Sequence, residues 1–126
     1  MTTFAQAIRP HVSDELRLAA DAAKGGDPSR AFTHLENAHV LGQASTREHA
    51  RAHWAMLRWG FAQGDAGEVV GQIVRLVGAL TKTWVGLVPV GNTGGTNVSP
   101  FRRLPIDRSL QRRIDRARAH AGGLAP

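Results

Sequence analysis

The chain has 126 residues, 16 Lys and Arg against 10 Asp and Glu, a formal net charge of +6, and no cysteine. This length suits one domain, and it can bury a hydrophobic core without covalent or metal staples. The lack of cysteine excludes disulfides, iron–sulfur clusters and cysteine nucleophiles, so a tight metal site must use His, Asp or Glu. We predict a single helical domain over 1–126.

The first residues, "MTTFAQAIRPHVSDELR", contain no apolar signal-peptide core, which predicts a cytoplasmic location. The most hydrophobic stretch, residues 68–90, is interrupted by Gln72, Arg75 and Lys82. Such polar groups are costly at the centre of a bilayer. We therefore predict a buried helix there and no membrane span.

Helix caps and apolar periodicity predict the first two helices. The first is expected to begin near Ser13 and to end at "KGGD". The second follows Asp27 as N-cap with Pro28 in the first helical position, and Gly42 is a plausible C-cap.

Two more helices follow the same logic. Ser45 and Glu48 have the S-x-x-E spacing of a capping box, which makes Glu48 a better cap than ligand. The fourth helix is predicted to begin at Asp65 and to pack through one apolar stripe. This stripe comprises Val69, Val70, Ile73, Val74, Val77 and Leu80.

Residues 13–87 are thus predicted to form two antiparallel helical hairpins. "KGGDPSRAF" and "AQGDAGEVV" align through Gly-Asp, and "GGDPSRAFTHLENAH" resembles the second half of a tetratricopeptide unit. The fold class predicted is all-α, with a tetratricopeptide-like four-helix arrangement. Two units are fewer than a repeat array usually needs, so a compact arrangement is favoured.

The remaining residues divide into a loop and a last helix. "PVGNTGGTNVSPFRRLP" is rich in turn residues, and 88–106 is predicted as an ordered Gly/Pro-rich loop. Residues 107–121 are predicted as an amphipathic, Arg-rich C-terminal helix. The basic character of the chain is concentrated in this last part.

Three strings, "HLENAHVLGQAS", "HWAMLRWG" and "TKTWVGLVPVGNTGGTNVSPF", together resemble a bacterial family of proteins of about this length. That family is catalogued only as a domain of unknown function. The resemblance covers most of the chain and implies one domain, but it implies no activity.

Residues 34–54 hold four of the six histidines. Glu36 and His39 lie three residues apart on the second helix, and His49 and His53 lie four apart on the third, so each pair shares a helix face. In a hairpin that turns near residue 43, the two faces converge. We predict a candidate site for one transition-metal ion, Zn²⁺, Ni²⁺ or Cu²⁺, with ligands Glu36, His39, His49 and His53.

A second interpretation treats the same histidines as structural. His53 lies on the apolar stripe of its helix, His39 near a helix C-terminus that favours positive charge, and His49 in a solvated first turn. The other three histidines are interpreted as surface residues: His11, His34 and His120.

The string "GNTGGTN" offers consecutive backbone N–H groups that could bind an anion. The candidate residues are Asn92, Thr93, Gly94, Gly95 and Thr96. A tight turn explains these glycines better, and no Walker pattern follows them.

The alternative function is a non-enzymatic module that binds a protein partner through a tetratricopeptide-like groove or the Arg-rich helix. The candidate contact residues are Trp54, Arg58, Trp59, Arg112, Arg113 and Arg116. No nucleic-acid motif is found, so nucleic acid is not predicted as a partner. No nucleophile–base pair can be placed together, so the sequence does not predict an enzyme.

Overall fold

Helices form nearly all of the backbone that the computed structural model describes, which comprises residues 2–81 and 105–122, without the side chains of 79–81. The helices are α1 (Phe4–Lys24), α2 (Pro28–Gly42), α3 (Thr46–Gln63), α4 (Ala66–Thr81) and α5 (Arg108–Ala121). These residues contain no strand, and the predicted all-α class is confirmed.

The first helix begins nearly three turns before the predicted start near Ser13. The Thr3 side chain accepts a hydrogen bond from the backbone N–H of Gln6, and the Gln6 side chain accepts one from the backbone N–H of Thr3. This reciprocal pair satisfies two donors that a helix start otherwise leaves free. The predicted start was wrong because a Thr-Gln capping box was overlooked.

Pro10 lies inside α1 and does not end it. Proline within a helix removes one backbone hydrogen bond and costs about 3 kcal/mol. Ile8 and Val12, on either side of Pro10, are both fully buried. Burial of each such side chain contributes about 1.5–3 kcal/mol, which offsets the cost and keeps the helix continuous.

The second and third helices begin at the expected caps. The Asp27 side chain accepts from the third backbone N–H of α2, with Pro28 in the first helical position. The Ser45 hydroxyl accepts from the backbone N–H of Glu48. The reciprocal half of the predicted capping box is not formed, because the Glu48 carboxylate accepts from Arg51 at 2.6 Å instead.

The helices pack in sequence, α1 on α2, α2 on α3 and α3 on α4, while α5 lies against α1 and α2. The main core forms where α1, α2, α3 and α5 meet. Its buried members are Ile8, Val12, Ala38, Val40, Leu41, Ala52, Leu110, Ile114 and Ala117.

A polar cluster fastens α5 to α1 and α2, which we call the Glu15 cluster: Glu15, His34, Asn37, Arg113 and His11. Arg113 donates to a Glu15 carboxylate oxygen at 2.8 Å and to the His11 carbonyl at 2.9 Å. His34 Nδ1 and the Asn37 amide contact the other Glu15 oxygen. Burial raises the pKa of Glu15, but these hydrogen bonds outweigh it, so the pKa is lowered. His11 and His34 are therefore not the surface residues that the sequence suggested.

The fourth helix is oriented opposite to the prediction. Among its described side chains, the buried ones are polar, namely Glu68, Gln72 and Arg75, and Gly78 is buried as well. Its exposed residues are apolar, namely Val70, Ile73, Val74 and Val77. Of the predicted apolar stripe, Val69 lies against Gly60 of α3, whereas these four residues are exposed. Within the described residues, no helix has both the length and the apolar character that crossing a bilayer requires.

The predicted loop, 88–106, lies outside the described residues except for its last two positions. The five anion-binding candidates lie outside them as well: Asn92, Thr93, Gly94, Gly95 and Thr96.

Candidate metal site

Three histidines meet between α2 and α3, and we call them the histidine trio: His39, His49 and His53. His39 is 1%, His49 8% and His53 2% exposed. His49 Nε2 lies 3.0 Å from His39 Nε2 and 2.9 Å from His53 Nε2. One nitrogen from each ring lies within 4.8 Å of the other two, which makes the trio a candidate metal site.

A close approach of two helices brings the trio together. A Cβ on Gly42, the last residue of α2, would lie 2.9 Å from the Glu48 Cβ and 3.0–3.1 Å from the Glu48 backbone. The last turn of α2 therefore touches the first turn of α3 at a position that only glycine fits. His39 precedes Gly42 by one turn and His49 follows Glu48 directly, so this contact places their rings side by side.

Glu36, the fourth predicted ligand, is half-buried and is not part of this group. A polar contact to the trio comes from α4. The ring nitrogen Nδ1 of His53 lies 2.5 Å from Gln72 Oε1, and the Gln72 amide nitrogen donates to Glu68 Oε1 at 2.7 Å. Neither Glu68 nor Gln72 was predicted as a site residue, because the predicted site lies between the second and third helices, whereas Gln72 lies 19 positions from His53 on the fourth.

Two members of the trio, His49 and His53, are uncharged at neutral pH. Burial lowers the pKa of His49 to about 4. Burial also lowers the pKa of His53 to about 3; the neighbouring His49 and Arg75 lower it further, and the Gln72 hydrogen bond only partly opposes this. Neutral imidazole is the form that binds metal ions, so binding at these two residues displaces no proton from a charged ring.

The three facing nitrogens cannot all be satisfied by hydrogen bonds among themselves. One imidazole nitrogen carries either one proton or one lone pair. His49 Nε2 faces two nitrogens, so it can form a full hydrogen bond with only one of them. Buried polar atoms in folded proteins nearly always have a partner. A cation between the rings would accept a lone pair from each of the three nitrogens.

The donor set and spacing suit a borderline transition ion. Imidazole is a common ligand of Zn²⁺, Cu²⁺ and Ni²⁺. Two histidine nitrogens bound to a tetrahedral zinc ion, each about 2.0–2.1 Å away, lie about 3.3 Å apart. The 2.9 and 3.0 Å separations would need to widen by a few tenths of an ångström, and the ligand atoms of His39 and His53, which lie within 4.8 Å of each other, would need to reach the same spacing. The residues present therefore fit one such ion.

A separate groove of about 400 Å³ runs between α1, α2 and α3. Trp54 is 54% exposed at its wall, and Arg58 is exposed beside it. Trp59 also lines the groove but is held within the chain, because its ring packs on Phe32 and its Nε1 donates to the Pro28 carbonyl at 2.9 Å. Of the other predicted partner-binding residues, Arg113 is engaged in the Glu15 cluster, whereas two remain exposed: Arg112 and Arg116.

Comparison with known proteins assigns the sequence to a family. The model of a family described as "Protein of unknown function (DUF3703)" matches residues 6–114. The chain belongs to this family. The match includes the whole histidine trio and the helices that carry it, and the family resemblance predicted from the sequence is confirmed. No curated protein and no solved structure is significantly similar to the chain.

Proposed function

We propose that this protein binds one divalent transition-metal ion through His39, His49 and His53. The observation that carries the proposal is the position of His49 Nε2, which lies 3.0 and 2.9 Å from two other ring nitrogens inside the protein. A bound cation accounts for all three nitrogens at once, whereas hydrogen bonding accounts for only one of the two contacts.

The burial of the three rings favours a site that holds its ion over a site at which the ion takes part in catalysis. All three rings are at least nine-tenths buried, and two of them belong to one rigid helix, α3. Affinities of nitrogen sites rise from Ni²⁺ to Cu²⁺ and fall again at Zn²⁺, so Cu²⁺ should bind most tightly and the cellular supply would decide which ion is held. Glu36 is not included among the proposed ligands, because it lies outside the group of converging atoms.

Elemental analysis of untagged protein, followed by thermal melts with and without Zn²⁺, Ni²⁺ and Cu²⁺, tests the proposal. A ligand that binds only the folded state at 100 times its dissociation constant stabilises that state by about 2.7 kcal/mol. We expect near-stoichiometric metal and a higher Tm in the wild type. The His49→Ala/His53→Ala variant should lose both effects.

The control for this pair is His120→Ala, because His120 is exposed on α5. X-ray absorption of the loaded wild type provides a measurement that does not depend on the folding of any variant, and it should show three imidazole ligands. A wild type that stays empty and melts at the same temperature with every ion would contradict the proposal.

We propose as a second candidate that the groove binds an amphipathic helix of a partner protein that carries acidic residues beside its apolar face. Trp54 is exposed at the wall, Arg58 adds positive charge, and the residues that line the groove include no acidic side chain. Exposed Trp and Arg are the residue types most enriched among binding hot spots.

Recovery of bound proteins from native lysate, compared between the wild type and Trp54→Ala/Arg58→Glu, tests the second candidate. We expect a specific partner that the wild type retains at low salt and that the double variant loses. Trp54→Ala should change stability by less than about 0.5 kcal/mol, as is usual at exposed positions. Recovery of the same proteins by the variant would show that the groove is not the binding surface.

A further inference from the structure

The buried polar stripe of α4 has an unusual position. Glu68, Gln72 and Arg75 face α3 and are 5%, 0% and 7% exposed, while four apolar residues of the same helix are exposed. Burying polar groups costs free energy unless they are fully hydrogen-bonded. A helix that buries its polar side therefore needs specific polar contacts there, and one contact of Gln72 is with His53 of the histidine trio.

We propose that Gln72 and Glu68 are positioning residues of the metal site, which hold His53 in the tautomer whose Nε2 lone pair faces the ion. This inference rests on the proposed metal binding by the trio. It assigns to two residues of α4 a role that neither their residue type nor their spacing in the sequence indicates.

The directions of the hydrogen bonds establish the tautomer. A carboxylate oxygen can only accept, so the Gln72 group that faces Glu68 Oε1 at 2.7 Å must be the amide nitrogen. The Gln72 amide nitrogen also contacts Met56 Sδ, a second acceptor, at 3.4 Å. Gln72 Oε1 therefore faces His53 Nδ1 and can only accept from it, which puts the proton of the neutral ring on Nδ1.

The opposite nitrogen of His53 is then left with a lone pair. This atom, Nε2, is the one that lies 2.9 Å from His49 Nε2 at the centre of the trio. Metal-binding histidines usually donate their other N–H to an oxygen acceptor, and this second contact fixes the ring orientation and raises the basicity of the ligand. In this protein the oxygen acceptor is the Gln72 amide oxygen, which accepts from His53 Nδ1, and the Gln72 amide nitrogen in turn donates to the Glu68 carboxylate.

The packing of α3 against α4 explains how Gln72 reaches the ring. A Cβ on Gly60 would lie 3.1 Å from a Val69 side-chain carbon and 3.3 Å from the Val69 backbone nitrogen. The two helices are therefore in close contact at Gly60, two turns from His53 on α3. Glu68 and Gln72, one turn apart on α4, follow the surface of α3 from that contact to the ring.

The test measures Zn²⁺ and Cu²⁺ affinity by competition with a chelator, in variants that change one hydrogen bond at a time. Gln72→Leu removes the acceptor, and loss of such an outer contact typically weakens metal binding about 10- to 100-fold. Glu68→Leu should have a smaller effect, because Gln72 would keep its oxygen but lose the group that orients it. The control is Gln111→Leu, the same substitution at an exposed hydrogen bond on α5.

An exchange variant distinguishes positioning from mere packing. In Glu68→Gln/Gln72→Glu, the new carboxylate at position 72 would accept directly from His53 Nδ1–H, and the new amide at position 68 would donate to it. We expect wild-type or tighter affinity in this variant, while Gln72→Leu stays weak. An exchange variant that folds but binds as weakly as Gln72→Leu would overturn the proposal.

Nitrogen-15 NMR of the histidine rings reads the tautomer directly in metal-free wild-type protein. We expect His53 to show a protonated Nδ1 and an unprotonated Nε2, and Gln72→Leu to show a mixture of both tautomers. A wild-type His53 protonated at Nε2 would overturn the proposal even if every variant failed to fold. A protein that binds no metal but shows the Nδ1–H tautomer would contradict the proposed function and leave the hydrogen-bond assignment standing.

Discussion

The Glu15 cluster and the histidine trio are two buried polar groups in one small helical protein, and they differ in how their atoms are paired. In the Glu15 cluster, each carboxylate oxygen has a donor: Arg113 on one, and His34 with Asn37 on the other. In the trio, His49 Nε2 must serve two nitrogens with a single proton or lone pair. The first arrangement is fully explained by holding α5 in place. The second leaves one of the two nitrogen contacts of His49 without a full hydrogen bond, which is the contact that the proposed cation would account for.

The largest expected difference between the two clusters is the pH at which each loses its contribution to the free energy of unfolding. Burial lowers the folded-state pKa of His49 to about 4 and that of His53 to about 3, from 6.5. As the pH falls, these histidines therefore take up protons in the unfolded chain before they do so in the folded protein. The stability that their neutral forms provide is fully present above pH 6.5 and is lost as the pH falls toward 4. Each histidine removes about 1.4 kcal/mol per pH unit from the free energy of unfolding in this range.

Urea unfolding at pH 7 and pH 5, in the presence of a chelator, measures this loss. Burial and the Arg113 charge also lower the pKa of His11, so His11→Gln is the control for that contribution. The pKa of Glu15 is lowered from 4.5, so Glu15 loses its stabilising contribution only at more acidic pH. A pH dependence that is unchanged in His49→Gln/His53→Gln would contradict the assignment of the loss to the trio.

Removing one partner of the Glu15 cluster should cost stability without affecting metal binding. Arg113→Met leaves one oxygen of a buried carboxylate without its charged donor. We expect a loss of about 2 kcal/mol, less than for a fully buried ion pair because the Arg113 side chain is 22% exposed. Urea unfolding and metal titration of the same variant measure both effects.

Arg112→Met is the matched control, because Arg112 is exposed on the same helix. A surface change of this kind should alter stability by less than about 0.5 kcal/mol. Equal stability losses in the two variants, or weaker metal binding in Arg113→Met, would show that the two clusters are not independent.

The smallest expected effect comes from the glycine that brings α2 and α3 together. Gly42→Ala puts a methyl group 2.9 Å from the Glu48 Cβ, so the two helices must shift apart, at a cost of about 1–2 kcal/mol. Because the shift separates His39 from His49, metal affinity should fall with stability. Thermal melts with and without added Zn²⁺ measure both.

Gly64→Ala provides the comparison for this change. Gly64 has a φ of +68° and open space around its Cα, so alanine there should cost about 1 kcal/mol through backbone strain alone. Metal affinity should stay at the wild-type value in this variant. If Gly42→Ala kept full metal affinity while losing stability, the close helix contact would not be what aligns the trio.

The sequence predicted the local features of the fold well, because they depend on neighbouring residues. Asp27 and Ser45 cap helices as their residue types suggest, and the spacing of His49 and His53 was sufficient to place them on one helix face. The start of α1 was misplaced because the capping box of Thr3 and Gln6 was overlooked, and the burial of Ile8 and Val12 offsets the cost of Pro10 inside the helix.

Features that depend on packing between distant helices were missed. Periodicity showed that α4 has an apolar side, but it could not show that the polar side is the one that faces α3. Gln72 is not a residue type sought among metal ligands, and its hydrogen bond with His53 appears only once α4 is placed beside that ring. Glu36 has the correct spacing from His39, yet its side chain lies outside the converging group.

The two clusters also differ in how far apart their members lie along the chain. His39 and His49 are separated by 10 positions, whereas Glu15 and Arg113 are separated by 98. The entropic cost of closing the longer loop is greater by about 2 kcal/mol. During synthesis the α2–α3 contact can form while α5 is still inside the ribosome, so the three histidines can meet before the last helix is available.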